Sequence, residues 1–334
     1  ELSQAFTAYN TRIVAPPHGS MLPMSPVRKN ILMVACALGL LIPVVIIFIC
    51  ENMNTRVRGR KDLESVTVPF IGEIPLFTRK KKGIFRKKPQ EVRAIVVKEG
   101  SRDIINEAFR VLRTNLEFMT GKDKASNVII VTSFNPGSGK SFLTMNIAVS
   151  FAIKGKKVLV IDGDLRHGSA SSYIDSPTKG LSDYLGGRID NLNEIIVTNP
   201  KQKYLDILPV GTIPPNPTEL LFDDRLKQVI DTVREQYEYV LIDCPPIELV
   251  ADTQIIEKLA DRTIFVVRAG LLELSMLAEL EKIYGEKKYK NMSLILNGTE
   301  GSGGRYGYRY GYRYGYHYGY GSEYHYGSDE KYIE

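Results

Sequence analysis

The sequence predicts an α/β fold, a mostly parallel sheet flanked by helices, with one transmembrane helix before it and a disordered tail after it. Three observations carry this expectation. Short apolar runs alternate with helical patterns from 126 to 298, the signature of βαβ units. Three of these runs border residues suited to phosphate or metal. Flanking them are an uncharged apolar run, Ile31 to Cys50, and a low-complexity stretch from Gly301 to the end.

Residues 1–30 hold little core-forming pattern. Arg12-Ile13-Val14-Ala15 is a brief strand candidate, followed by prolines at 16, 17, 23 and 26. In the 31–50 run, about 20 residues at ~1.5 Å rise span ~30 Å, the thickness of a bilayer core. Pro43 is compatible with a membrane helix. A buried helix of a soluble protein is the alternative, and a signal peptide fits poorly because a mostly polar segment precedes the run. Arg56, Arg58, Arg60 and Lys61 follow the span, whereas Arg28 and Lys29 closely precede it. The positive-inside rule then places the C-terminal side in the cytoplasm and the N-terminus outside.

Residues 51–100 carry thirteen Lys/Arg and six Asp/Glu, a balance of +7 in a chain of net charge +6. This reads as a basic juxtamembrane linker, with Lys80-Lys81-Lys82 and Arg86-Lys87-Lys88 suited to anionic inner-membrane lipid. The rest of the chain sums to about −1, which argues against nucleic acid as a partner. Cys36, Cys50 and Cys244 lack metal-ligand spacing and imply no disulfide framework.

Ile104, Ile105, Ala108, Phe109, Leu112 and Leu116 recur at helical spacing over 101–120. Glu107, Arg110 and Arg113 stand at i, i+3 and i+6 on that helix. An intrahelical ion pair contributes only ~0.2–0.5 kcal/mol, too little to account for the pattern. Beyond it, strands are expected at Val128–Thr132, Val158–Ile161, Leu205–Leu208, Tyr239–Ile242, Thr263–Val267 and Leu294–Leu296. Helices are expected at Lys140–Lys154, Glu219–Glu235, Asp252–Leu259 and Leu272–Tyr284. The tail, 301–334, is too rich in glycine to build a core. Its eleven tyrosines are Tyr306, Tyr308, Tyr310, Tyr312, Tyr314, Tyr316, Tyr318, Tyr320, Tyr324, Tyr326 and Tyr332.

The chemistry lies at three strand ends. Ser133-Phe134-Asn135-Pro136-Gly137-Ser138-Gly139-Lys140-Ser141 lies between a strand and a helix, as a P-loop does, with Phe134 where the strict pattern has its first glycine. Small residues let backbone N–H groups close around phosphate, and the helix N-terminus adds its positive end. Lys140 would reach the β/γ-phosphates and Ser141 would ligate Mg²⁺. The run Val158–Ile161 ends in Asp162-Gly163-Asp164-Leu165-Arg166, and Tyr239–Ile242 ends in Asp243-Cys244-Pro245-Pro246. Both are fully apolar, as in a parallel sheet covered on both faces, and both place carboxylates where ligands bind such sheets. The bland alternative makes these aspartates turn or cap residues.

SFNPGSGKS, VLVIDGDLR and VLIDCPP together resemble the Walker A, A′ and B motifs of the bacterial tyrosine kinases, relatives of the Min/Par-type partition ATPases. That resemblance implies a P-loop (Min/Par-like) kinase domain at 101–300, ATP and Mg²⁺ as cofactors, and a tyrosine-rich phosphoacceptor tail at 301–334. It implies that 1–30 is the periplasmic end of a chain-length-determinant (Wzz-like) domain, and the chain part of a Wzz/Wzc-type polysaccharide co-polymerase. Gly137, Ser138, Gly139, Lys140, Ser141 and Phe142 would bind the nucleotide. Ser141, Asp164 and Asp243 would hold Mg²⁺, and Asp162 would orient and deprotonate the acceptor hydroxyl. Individual roles among Asp162, Asp164 and Asp243 stay open. Arg166 would aid phosphate or a subunit contact. Asn297 would contact adenine, or be a plain turn residue before Gly298. Glu107, Arg110 and Arg113 would mediate ring-like assembly. The partners implied are further copies of the chain, the polysaccharide export and polymerisation machinery, and a tyrosine phosphatase. Phosphates on the tail, each bringing about −1.5 to −2 charges, would weaken the ring. Two rival readings are a partition-type membrane-associated ATPase and a non-enzymatic export scaffold.

Overall fold

Alternation along the strands decides the layers. In β2 (Val128–Thr132), Val128 and Ile130 face one hydrophobic layer while Ile129 and Val131 face the other. A strand buried on both faces needs helices on both faces, and the chain supplies them. The computed structural model describes residues 28–77, 94–121, 127–200, 202–247 and 251–300. The N-terminal segment 1–27, the basic clusters at 80–82 and 86–88, and the tyrosine tail lie outside the described residues.

Two units are present. The first contains helix α1 (Arg28–Asn52), with Pro43 inside it. Among the described residues it is the one helix long and apolar enough to cross a membrane, and none of its apolar span is buried.

The second unit is built on an eight-stranded sheet ordered β1-β8-β7-β2-β6-β3-β5-β4. Its strands are β1 (Phe70–Pro75), β2, β3 (Val158–Asp162), β4 (Val197–Thr198), β5 (Leu205–Leu208), β6 (Tyr239–Asp243), β7 (Arg262–Arg268) and β8 (Met292–Thr299). All pairings are parallel except β4 with β5. Helices α2 (Ile104–Thr120) and α3 (Lys140–Ile153) cover one face through Phe109, Leu112, Leu143 and Phe151. The other face packs α6 (Asp224–Gln236) and α8 (Met276–Gly285) through Leu226, Val229, Leu280 and Ile283. Shorter helices α4 (Leu181–Leu185), α5 (Pro217–Leu221) and α7 (Asp252–Glu257) complete the unit.

Local chemistry sets the helix ends. Asp103 caps α2 by accepting from Asn106 N at 2.8 Å, and Gly121 ends it with φ +65°. The single helix expected over Glu219–Glu235 is two. Asp223 leaves the helical region and accepts from Arg225 N at 2.8 Å, which starts α6 afresh.

The largest correction concerns 51–100. Much of this stretch, expected to be a linker, is part of the fold. Strand β1 adds to the sheet edge beside β8, and Val57, Leu63, Val68, Ile71 and Ile74 are core residues. Val57 N donates to Leu272 O, Gly270 N to Val57 O and Leu274 N to Thr55 O. Those bonds hold 270–274 out of helix, so α8 begins at Met276 instead of Leu272. Segment 94–98 is fixed by Asn146, whose Oδ1 accepts from Val96 N at 2.7 Å, and by Asn106, whose Oδ1 accepts from Lys98 N at 2.7 Å.

Ile74 is fully buried. Replacing it with alanine is expected to lower the unfolding free energy of the second unit by about 2–5 kcal/mol, as large-to-small core changes do. A urea titration giving under ~0.5 kcal/mol, the range of a surface change, would return the segment to linker status.

Candidate active site

The sheet brings the three motifs together through strand order alone. Strand β6 lies between β2 and β3, with Val131 beside Asp243 and Asp243 beside Asp162 in register. Ligand-binding groups therefore converge at one carboxyl edge.

The loop after β2 takes a phosphate-cradle conformation. Gly137 and Gly139 have φ +73° and +88°, values that glycine adopts without the cost a Cβ brings. Ser138 is buried, and its hydroxyl donates to Asn135 O at 2.8 Å, as does that of Ser133. Helix α3 follows at once. Its backbone ladder includes Leu143 N to Gly139 O, so the N–H groups of Ser141 and Phe142 have no carbonyl one turn back within the helix. No acidic side chain occupies its first turn, and the positive end of the helix faces the loop. Phe134, at the position of the missing glycine, is buried and packs edge-on against Phe265 with ring centroids 4.9 Å apart. It anchors the loop to the core. The Phe142 ring packs against Phe109 at 6.0 Å, which leaves its backbone, not its ring, for a nucleotide.

Behind the loop stand the carboxylates. Asp162 is fully buried and Asp243 is 1% exposed. Asp162 Oδ2 accepts from Ser171 N at 2.6 Å and Ser171 Oγ at 2.7 Å. Asp162 Oδ1 and both oxygens of Asp243 are buried with no hydrogen bond among the described residues. Burial, and then the facing Asp162 charge, push the Asp243 carboxyl well above its ordinary value; the nearby Ser141 hydroxyl and Lys140 ammonium oppose this. Asp162 is raised by burial, with its two Ser171 hydrogen bonds opposing and the Asp164 charge adding. Burial also pushes the Cys244 thiol up, which keeps it neutral and unreactive. Gly163 permits the close strand ends: a Cβ there would stand 2.9 Å from Ile242 Cγ2 and 3.1 Å from Asp243 O.

Orphaned buried carboxylate oxygens are costly, and here they are what a cation would satisfy. No group of three or more His, Cys, Asp or Glu forms a metal cage among the described residues. Mg²⁺ needs no such cage, because it keeps several waters and takes few protein ligands beside phosphate oxygens. The Ser141 hydroxyl with Asp243, and Asp164 close by, fits that demand.

The other expected residues divide. Asp164 Oδ1 accepts from Arg166 N and His167 N, each at 3.2 Å, and so also shapes the turn after β3. The Arg166 side chain is engaged by α7 and α5: Nε donates to Asp252 Oδ2 at 3.0 Å and Nη2 to Thr218 Oγ1 at 2.9 Å. Asn297 is not a turn residue. It lies within β8, buried, and Nδ2 donates to Ser138 O at 2.8 Å. Glu107 and Arg110 form an ion pair on the surface of α2. Arg113 instead reaches α3, where Nη1 donates to Ser150 O at 2.9 Å, so the three charges do not act as one row. The tail tyrosines lie outside the described residues. Sequence reasoning missed Arg268 and Asp252, whose partners lie 131 and 86 residues away, and Ser171, nine residues beyond Asp162 but outside the motif.

A phosphate loop backed by acid-tipped parallel strands defines a P-loop nucleotide-binding domain, and the family model described as "AAA domain" matches residues 126–294. Within that class, the chain is 33% identical over 294 residues to a protein named putative tyrosine-protein kinase AmsA from Erwinia amylovora, covering 85% of this chain. It spans only 39% of that protein's length. It is 35% identical over 209 residues to the tyrosine-protein kinase YwqD of Bacillus subtilis, covering 62% of this chain and 87% of that one. The solved kinase domain of Escherichia coli tyrosine kinase ETK superposes with TM-score 0.64 at 29% identity, over 79% of this chain and all of that one. The chain belongs to the bacterial tyrosine kinase family.

A carboxyl whose folded value lies above its unfolded one keeps its proton longer in the folded chain, so stability falls as pH rises through that interval. The nucleotide-free protein should therefore melt lower at pH 8 than at pH 6. Asp243→Asn, without the buried charge, should melt higher than the parent at pH 8, with a smaller gap at pH 6. Differential scanning calorimetry decides, and a gap independent of pH would contradict the raised value.

Proposed function

We propose that this chain is a membrane-anchored, ATP-dependent protein-tyrosine autokinase that phosphorylates its C-terminal tyrosine cluster in trans. The observation that carries the reading is the buried Asp162–Asp243 pair set in register beside the phosphate loop. Lys140 and the N–H groups of 137–142 bind and orient the triphosphate. Ser141, Asp164 and Asp243 hold Mg²⁺, which when bound neutralises charge on the phosphates. Asp162 has Oδ2 tied to Ser171 and Oδ1 uncommitted. It positions the acceptor tyrosine and takes its proton late in transfer. Phenol has a pKa near 10, so burial that strengthens a carboxylate as a base favours that step.

The acceptor belongs to a neighbouring copy. Glu107 and Arg110, half-exposed on α2, contribute to a ring-like homo-oligomer, with Arg113 fixing α2 to α3. Helix α1 sits in the bacterial inner membrane, with the N-terminus periplasmic and the kinase unit cytoplasmic beside anionic lipid. By family, the activity regulates capsular or exopolysaccharide polymerisation and export, and a tyrosine phosphatase resets the tail.

Incubation with ATP and Mg²⁺ followed by mass spectrometry is expected to place phosphate on tyrosines between 306 and 332. ADP without phosphotyrosine would mark a partition-type ATPase, and neither product a scaffold. Lys140→Met should cut labelling by about 10²-fold or more, the size of effect expected when a group stabilising transition-state charge is lost, with the domain still folded by circular dichroism. When mixed with active copies, the same variant should still be labelled on its own tail.

A further inference from the structure

The phosphate loop is gripped by two side chains to which the kinase reading gives no part in holding it. Arg268, the last residue of β7, donates from Nη1 to Gly137 O at 2.8 Å. Asn297 in β8 donates from Nδ2 to Ser138 O at 2.8 Å. The fit around Asn297 is close, because a Cβ on Gly139 would stand 2.2 Å from its Nδ2.

These are consecutive peptide carbonyls. In a planar trans peptide, the C=O of one residue and the N–H of the next point in opposite directions. Holding Gly137 O therefore aims Ser138 N–H the other way, and holding Ser138 O does the same for Gly139 N–H. Both N–H groups belong to the cradle that closes around phosphate oxygens. Glycine-rich peptides rotate readily, so a cradle without such a grip would have to order itself at the cost of binding. Both side chains come from strands on one side of β2, reached across the sheet order β8-β7-β2.

We propose that Arg268 and Asn297 are positioning residues that preorganise the phosphate cradle by pinning two successive carbonyls of the loop. The proposal rests on the reading of the loop as a nucleotide site. It further implies that their contribution is confined to the phosphate end of the ligand.

The test is calorimetric titration of the full chain in detergent with Mg·ADP, and with adenosine by competition. Arg268→Ala and Asn297→Ala are each expected to weaken Mg·ADP about tenfold, roughly 1.4 kcal/mol, and to leave adenosine within about twofold. Arg268→Lys, which keeps a cationic donor, should recover most of the loss. Unchanged Mg·ADP affinity, or equal losses for Mg·ADP and adenosine, would overturn the assignment. So would a loss that tracks a lowered melting temperature and is not recovered by lysine. Failure of the unsubstituted chain to bind Mg·ADP would instead overturn the nucleotide reading, and the proposal with it.

Discussion

Two carboxyl groups withdrawn from water on neighbouring strands form the constraint around which the second unit is organised. Asp162 and Asp243 stand side by side at the ends of β3 and β6, where burial penalises each and their mutual repulsion adds to it. Such an arrangement persists only if positive potential is near. Lys140 and the N-terminus of α3 supply it. Ser171 satisfies one carboxylate oxygen with both its N–H and its hydroxyl. The residual deficit lies at Asp162 Oδ1 and both Asp243 oxygens, so the site gains most when a cation and phosphate arrive.

The sheet tolerates this because its middle is over-determined. Strands β2, β6 and β3 are flanked on both sides by other strands and covered on both faces by helices. Their apolar residues give the packing that offsets buried charge at the edge. Side-chain to backbone bonds add rigidity at the strand ends: Thr132 and Thr253 both donate to Pro245 O, at 2.9 and 2.8 Å.

What could be read from the sequence followed from how locally each feature is encoded. β2, β3 and β6 announce themselves as unbroken apolar runs, because a doubly covered parallel strand needs no alternation. Their terminal aspartates and the glycine loop are contiguous with them. Strand β1 was invisible for the opposite reason. Phe70–Pro75 has a proline on either side of a glycine-interrupted pattern, and its partner β8 lies more than two hundred residues onward. The same holds for the site. Lys140, Ser141 and the aspartates sit in motifs, whereas Arg268 and Asn297 meet the loop across 131 and 159 residues. An asparagine followed by glycine looks like a turn in one dimension; only the sheet reveals it as part of the loop's support. The single helix expected after 219 failed at Asp223, a cap residue directly before α6 that the apolar periodicity around it outweighs in the sequence.

The placement of β1 alters what the strongly cationic stretch can be for. Chain on both sides of 78–93 belongs to the same folded body, through β1 before it and the segment held by Asn146 after it. The cationic stretch is thus bracketed in sequence by two segments of that body, instead of following directly on the apolar helix. A change in its length or charge is therefore a change made between two fixed points of the second unit, the end of β1 and the segment held by Asn146.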